Sequence, residues 1–115
     1  MNRKTWIAVF VALLAFGPTL VRAGPPPDPA NGVTVKIDNF AFDAPTVTVA
    51  PGATVTWVND DDDPHTVVAE DGKSFRSRTL DTGDKFSFTF MSAGTFAYFC
   101  SVHPHMTGKV VVKAP

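Results

Sequence analysis

The sequence predicts an all-β domain, a sandwich or barrel of about seven or eight short strands. Three observations carry this reading. Apolar residues recur with a period of two in one segment after another, turn pairs such as Pro51-Gly52 and Asp71-Gly72 separate those segments, and no helix-period segment follows the N-terminal apolar stretch. Alternation of this kind suits a half-buried strand, because successive side chains point to opposite faces of a sheet.

The elements follow in order. Residues 1–23 read as a secretory signal peptide: the basic head Met1-Asn2-Arg3-Lys4, a mostly apolar stretch from Thr5 to Leu20, and Val21 and Ala23 flanking a cleavage point after Ala23. The apolar run is broken by Gly17-Pro18 and is shorter than the roughly 20 residues a spanning helix needs, so no stable membrane insertion is expected after cleavage. Residues 24–32, rich in proline, read as an extended linker. The domain is expected over 33–115. Val33, Val35 and Ile37 alternate with polar residues, and Phe40 and Phe42 continue that face. Val47 and Val49 follow, then Val55 and Trp57. An acidic loop from Asn59 to Pro64 leads into a strand starting at His65. Phe86, Phe88 and Phe90 alternate with polar residues, Ala93-Gly94 turns the chain into Thr95–Cys100, and the Val-rich stretch Lys109–Lys113 closes the domain. The aromatic residues Phe40, Phe42, Trp57, Phe86, Phe88, Phe90, Phe96 and Tyr98 are expected on core-facing positions.

Charge narrows the function. Ten basic residues oppose eleven acidic ones, for a net charge of −1. The leader holds Arg3, Lys4 and Arg22 and no acid, so the domain is more acidic than the whole chain. That argues against nucleic acid or an anionic membrane surface as the main partner. A domain this small has a limited core and gains from a bound metal. The single cysteine, Cys100, cannot form an internal disulfide, which leaves a buried thiol, an intermolecular bridge or a metal ligand.

The surroundings of Cys100 decide between these. Cys100, His103 and Met106 offer a thiolate, an imidazole and a thioether at C-x-x-H-x-x-M spacing, on a short loop between two strands. His65, itself just after a loop, supplies a fourth donor if both loops lie at one end of the sandwich. Two imidazoles and a thiolate in a trigonal arrangement, with a weak axial thioether, form a type 1 blue-copper electron-transfer site. Zinc competes less well, since structural zinc sites use four Cys and His ligands with paired spacings. His105 is expected to be an exposed loop residue, with a surface role in partner docking as the alternative. The run Asp60-Asp61-Asp62-Asp63 is expected to be solvated surface, with an acidic docking patch as the alternative. Met91 is expected in packing or at the surface.

The chain resembles the cupredoxins, and within them the short-loop amicyanin type. The residues that carry the resemblance are Asp63-Pro64-His65-Thr66-Val67, Gly94-Thr95-Phe96-Ala97-Tyr98-Phe99-Cys100, His103-Pro104-His105-Met106 and Gly108-Lys109-Val110-Val111-Val112. The resemblance spans roughly residues 33 to 113. It implies a Greek-key β-sandwich and one copper ion held by His65, Cys100, His103 and Met106. It also implies that His103 has an edge near the surface, where electrons pass to redox partner proteins that dock transiently. His105 stands where the amicyanin pattern has Phe, and Thr66 where Asn is common; both differences bear on partner and redox potential rather than on the metal. The expected function is a monomeric periplasmic carrier of single electrons, not an enzyme. The alternative, copper storage or delivery, would favour Met-rich or His-rich tracts or paired cysteines, and an oxidase fragment would need more than the three histidines present.

Overall fold

The computed structural model describes residues 32–115. The expected leader, and the expected linker apart from Gly32, lie outside the described residues. Within them the alternating segments become eight strands: β1 (Val33–Asp38), β2 (Ala41–Asp43), β3 (Thr46–Val49), β4 (Ala53–Asn59), β5 (Val68–Ala69), β6 (Lys85–Phe90), β7 (Gly94–Phe99) and β8 (Thr107–Val112). No helix occurs among the described residues.

The strands form two four-stranded sheets, ordered β2-β1-β4-β6 and β3-β8-β7-β5. Pairing is antiparallel except for β1 with β4 and β3 with β8. The molecule is thus a sandwich rather than a barrel, and its chain crosses repeatedly between the sheets. Period-two patterning places Val35 and Ile37 of β1, and Ala53, Val55 and Trp57 of β4, in the space between them. Trp57 is fully buried, edge-on to Tyr98 of β7 at a centroid separation of 5.3 Å and stacked on Phe75 at 5.9 Å. Such aromatic pairs add about 0.5–1.5 kcal/mol beyond the area they bury. The outer face of the first sheet is polar, with hydroxyl pairs Thr54–Thr89 and Thr56–Ser87, both at 2.8 Å.

Gly108 lies directly across the ladder from Tyr98. A Cβ there would sit 2.5 Å from the Tyr98 ring and hydroxyl, so only glycine lets this ring lie against β8. That packing fixes the strand pair whose connecting loop carries Cys100, His103 and Met106.

Two expectations need correction. Phe40 is not on the core face: it is 47% exposed, at the tip of the β1–β2 turn. The two-residue turn resets the alternation, so Phe42 faces inward opposite Ile37 while Phe40 does not. Nor does a strand begin at His65. The His65 backbone forms an isolated bridge with Leu80, and β5 starts only at Val68. The reason is that nearby donors go elsewhere: Thr66 N–H points to the Cys100 sulfur at 3.4 Å, and Val67 N–H to the Ser77 hydroxyl at 2.8 Å.

Candidate metal centre

Cys100 immediately follows β7 and Thr107 opens β8, so the connecting loop has little freedom. The loop is closed on itself by backbone bonds, from Cys100 N–H to Met106 C=O at 3.0 Å and from Met106 N–H to His103 C=O at 2.9 Å. Strand pairing and these two bonds fix where the loop side chains start from. Cys100 is fully buried, Met106 is buried in the same core cluster, and His103 is half-buried.

His65 reaches this loop from the other side. Its backbone is held on both sides by Leu80, N–H to C=O at 3.0 Å and the reverse at 2.7 Å. Its ring is fully buried, with Nε2 2.9 Å from the Asp61 carboxylate. A carboxylate only accepts, so Nε2 carries the proton and, in the neutral ring, Nδ1 presents its lone pair. That Nδ1 faces the loop, 3.2 Å from Nδ1 of His103 and 3.8 Å from the sulfur of Cys100; the remaining side, sulfur to His103 Nδ1, is 3.7 Å. These three donor atoms form the one metal-capable group of this kind among the described residues.

The triangle has the size of a metal site. An ion bonded at about 2.0 Å to nitrogen and about 2.3 Å to sulfur spans edges of this length at near-trigonal angles. Two ring nitrogens facing each other at 3.2 Å also need a cation or a proton between them. The thiol is prepared for the same role. Burial works against its ionisation, but the Thr66 backbone N–H, then the rings of His65 and His103, outweigh that and bring Cys100 down to about 6. A thiolate is the form that binds metal.

Two groups around the triangle, Asp61 and Asn59, were given no part in the site by the sequence, and a third, Thr66, stood out only as a difference from the amicyanin pattern. Asp61, expected to be solvated surface along with its neighbours, is nearly buried and braces His65. The Phe40 backbone N–H, at 3.0 Å, and then His65 hold its carboxyl below the ordinary carboxylate range. Asn59 builds the loop that places it: its side-chain amide donates to Asp63 C=O at 2.9 Å and Leu80 C=O at 2.8 Å, and its oxygen accepts from Asp61 N–H at 2.9 Å. The Thr66 hydroxyl accepts from Ser101 N–H at 2.7 Å and lies 2.7 Å from the Ser101 hydroxyl, tying the His65 segment to the Cys100 loop. An acid four residues before a candidate ligand was the available signal for Asp61, masked by three similar neighbours. His105 is exposed on the loop and outside the donor triangle, and Asp60, Asp62 and Asp63 are exposed.

A two-sheet sandwich with a His–His–Cys triangle, two of its members buried and the third half-buried, has the build of a small copper protein. The chain belongs to the plastocyanin/azurin family of copper-binding proteins, whose pattern matches residues 30–113. It is 38% identical over 89 residues to an amicyanin of Paracoccus versutus, covering 74% of this chain and 67% of that one. It is 34% identical over 116 residues to amicyanin-alpha of Methylorubrum extorquens, covering 93% and 98%. Among solved structures, a purple cupredoxin from Nitrosopumilus maritimus superposes with a TM-score of 0.66 at 32% identity, covering 70% of this chain and 99% of the other. The expected cofactor, copper, agrees with the family and with the donor set.

Proposed function

We propose that this protein is an exported carrier of single electrons in the periplasm, with one type 1 copper bound by His65, Cys100, His103 and Met106. When bound, copper supplies the Cu(I)/Cu(II) couple. The observation that carries the reading is the donor triangle: two imidazole nitrogens and one thiolate sulfur at mutual distances of 3.2, 3.7 and 3.8 Å, on a braced framework. A set of donors fixed from outside moves little when the charge between them changes by one, which favours fast electron exchange over substrate chemistry. Met106 is assigned as the weak axial donor because it is buried on the same loop, beside Cys100 in the core cluster.

The division of labour follows from exposure. His65 is sealed in and fixes the metal from within, while half-buried His103 offers the edge through which electrons leave. Partners dock there transiently, and the carrier works as a monomer. The basic-then-apolar leader supports the exported setting.

The test is to express the whole chain, load it with Cu(II), and record visible absorption and electron paramagnetic spectra. An intense blue band with narrow copper hyperfine splitting is expected. A colourless protein, or a wide splitting without a sulfur-to-copper band, would mean that Cys100 is not a ligand.

A further inference from the structure

We propose that Phe40 is a positioning residue of the metal centre, a lid that packs on both imidazoles and keeps water and small external ligands away from the metal. The inference rests on the copper reading above and deepens it.

Phe40 occupies an unfavourable backbone position. Asn39 and Phe40 form the two-residue turn between β1 and β2, with φ of 50° and 56°. A two-residue turn with both φ values positive favours Asn followed by Gly. Asn39 fits that rule. Phe40 breaks it, because a bulky side chain in the left-handed region meets its own backbone. Strain of this kind persists where the surroundings over-determine it, and it gathers at functional sites.

The surroundings here are all parts of the metal centre. The Phe40 backbone N–H donates at 3.0 Å to Oδ2 of Asp61, the same oxygen that lies 2.9 Å from His65 Nε2. One carboxylate oxygen therefore sets both the His65 ring and the turn that carries Phe40. The Phe40 ring stands edge-to-face against His65 at a centroid distance of 5.6 Å and against His103 at 5.0 Å. It is 47% exposed, so one side lies on the imidazoles and the other meets solvent. His65 needs little further cover, being sealed already. His103 is the half-buried member of the donor set, so its ring has a side toward solvent. An aromatic ring placed against that ring restrains it and excludes water.

The position offers a clean test, since glycine removes the ring and suits the turn. The whole-chain wild type, Phe40→Gly and Phe40→Leu are loaded with copper, and metal loss to excess EDTA is followed by the decay of the visible band. Thermal melting of the three copper-free proteins runs in parallel. Copper-free Phe40→Gly should melt close to the wild type, as relief of the turn offsets the lost ring contacts. It should nonetheless lose copper about tenfold faster or more, the scale seen when groups around metal ligands are removed. Phe40→Leu should recover most of the retention. Copper loss from Phe40→Gly at the wild-type rate would overturn the proposal. So would equal losses of melting temperature and copper retention in both variants, which would make the ring ordinary packing. If the wild type itself takes up no copper, the copper reading fails instead, and the two failures are told apart by that control.

Discussion

The two histidines of the metal centre are held in opposite ways. His65 is fully buried, braced at Nε2 by Asp61 and along its backbone by Leu80. His103 is half-buried on a loop, and its ring meets Cys100, His65 and Phe40. One is part of the core and the other part of the surface. Under the proposed function, a centre that holds a metal and passes electrons outward needs both, a fixed inner wall and an outer edge within reach of a partner.

That contrast can be broken most forcefully by truncating each ring. His65→Ala opens a cavity and leaves the Asp61 carboxylate without its ring partner; it should destabilise the copper-free protein by about 2–4 kcal/mol. His103→Ala should cost the copper-free protein less than about 1 kcal/mol, as a change at a half-exposed loop position. Denaturant titration of both variants measures the difference, and equal losses would erase the distinction. Under the proposed ligand set, added imidazole should restore the visible spectrum of His103→Ala and not that of His65→Ala.

A milder change acts on the brace of His65. Asp61→Asn keeps the shape of the brace and removes its charge. Copper should still bind, with affinity lowered by about 10–100-fold. Competition with a chelator reads this directly, and an unchanged affinity would show that only the shape of the Asp61 side chain matters.

Much of this arrangement was legible in the chain, because it depends on local spacing. C-x-x-H-x-x-M between two strand patterns places three donors on one loop, and the loop closes as a short connection pinned at both ends must. Period-two patterning also located most of the strands. What escaped depends on contacts between distant segments. Asp61 looked like one of four surface acids, and only the fold shows that its neighbours face solvent while it faces His65. Phe40 shares the parity of Phe42, yet a two-residue turn interrupts the count. The strand expected from His65 is replaced by an irregular segment, because its N–H groups serve a sulfur and a serine hydroxyl.

The smaller effects concern the thiol. Cys100 is depressed to about 6 in the folded protein, against about 8.5 for a free cysteine. A depressed value means that the folded state favours the thiolate. The resulting stability is fully present above about pH 8.5 and is lost as pH falls through about 6. Thermal melts of the copper-free protein across that window should show the loss, and Cys100→Ala should flatten it. Smaller again is Thr66→Val, which removes the hydroxyl that joins the His65 segment to Ser101. It should cost about 1 kcal/mol of stability and shift the visible band, while copper stays bound.

Under the proposed ligand set, two imidazoles and one thiolate stand ready for copper before the metal arrives. X-ray absorption at the copper edge of the loaded whole chain, in both oxidation states, reads that arrangement. One short copper–sulfur bond and two copper–nitrogen bonds are expected in each state, with lengths that barely change on reduction. Loss of a nitrogen ligand on reduction, or a first shell of nitrogen and oxygen without sulfur, would contradict it.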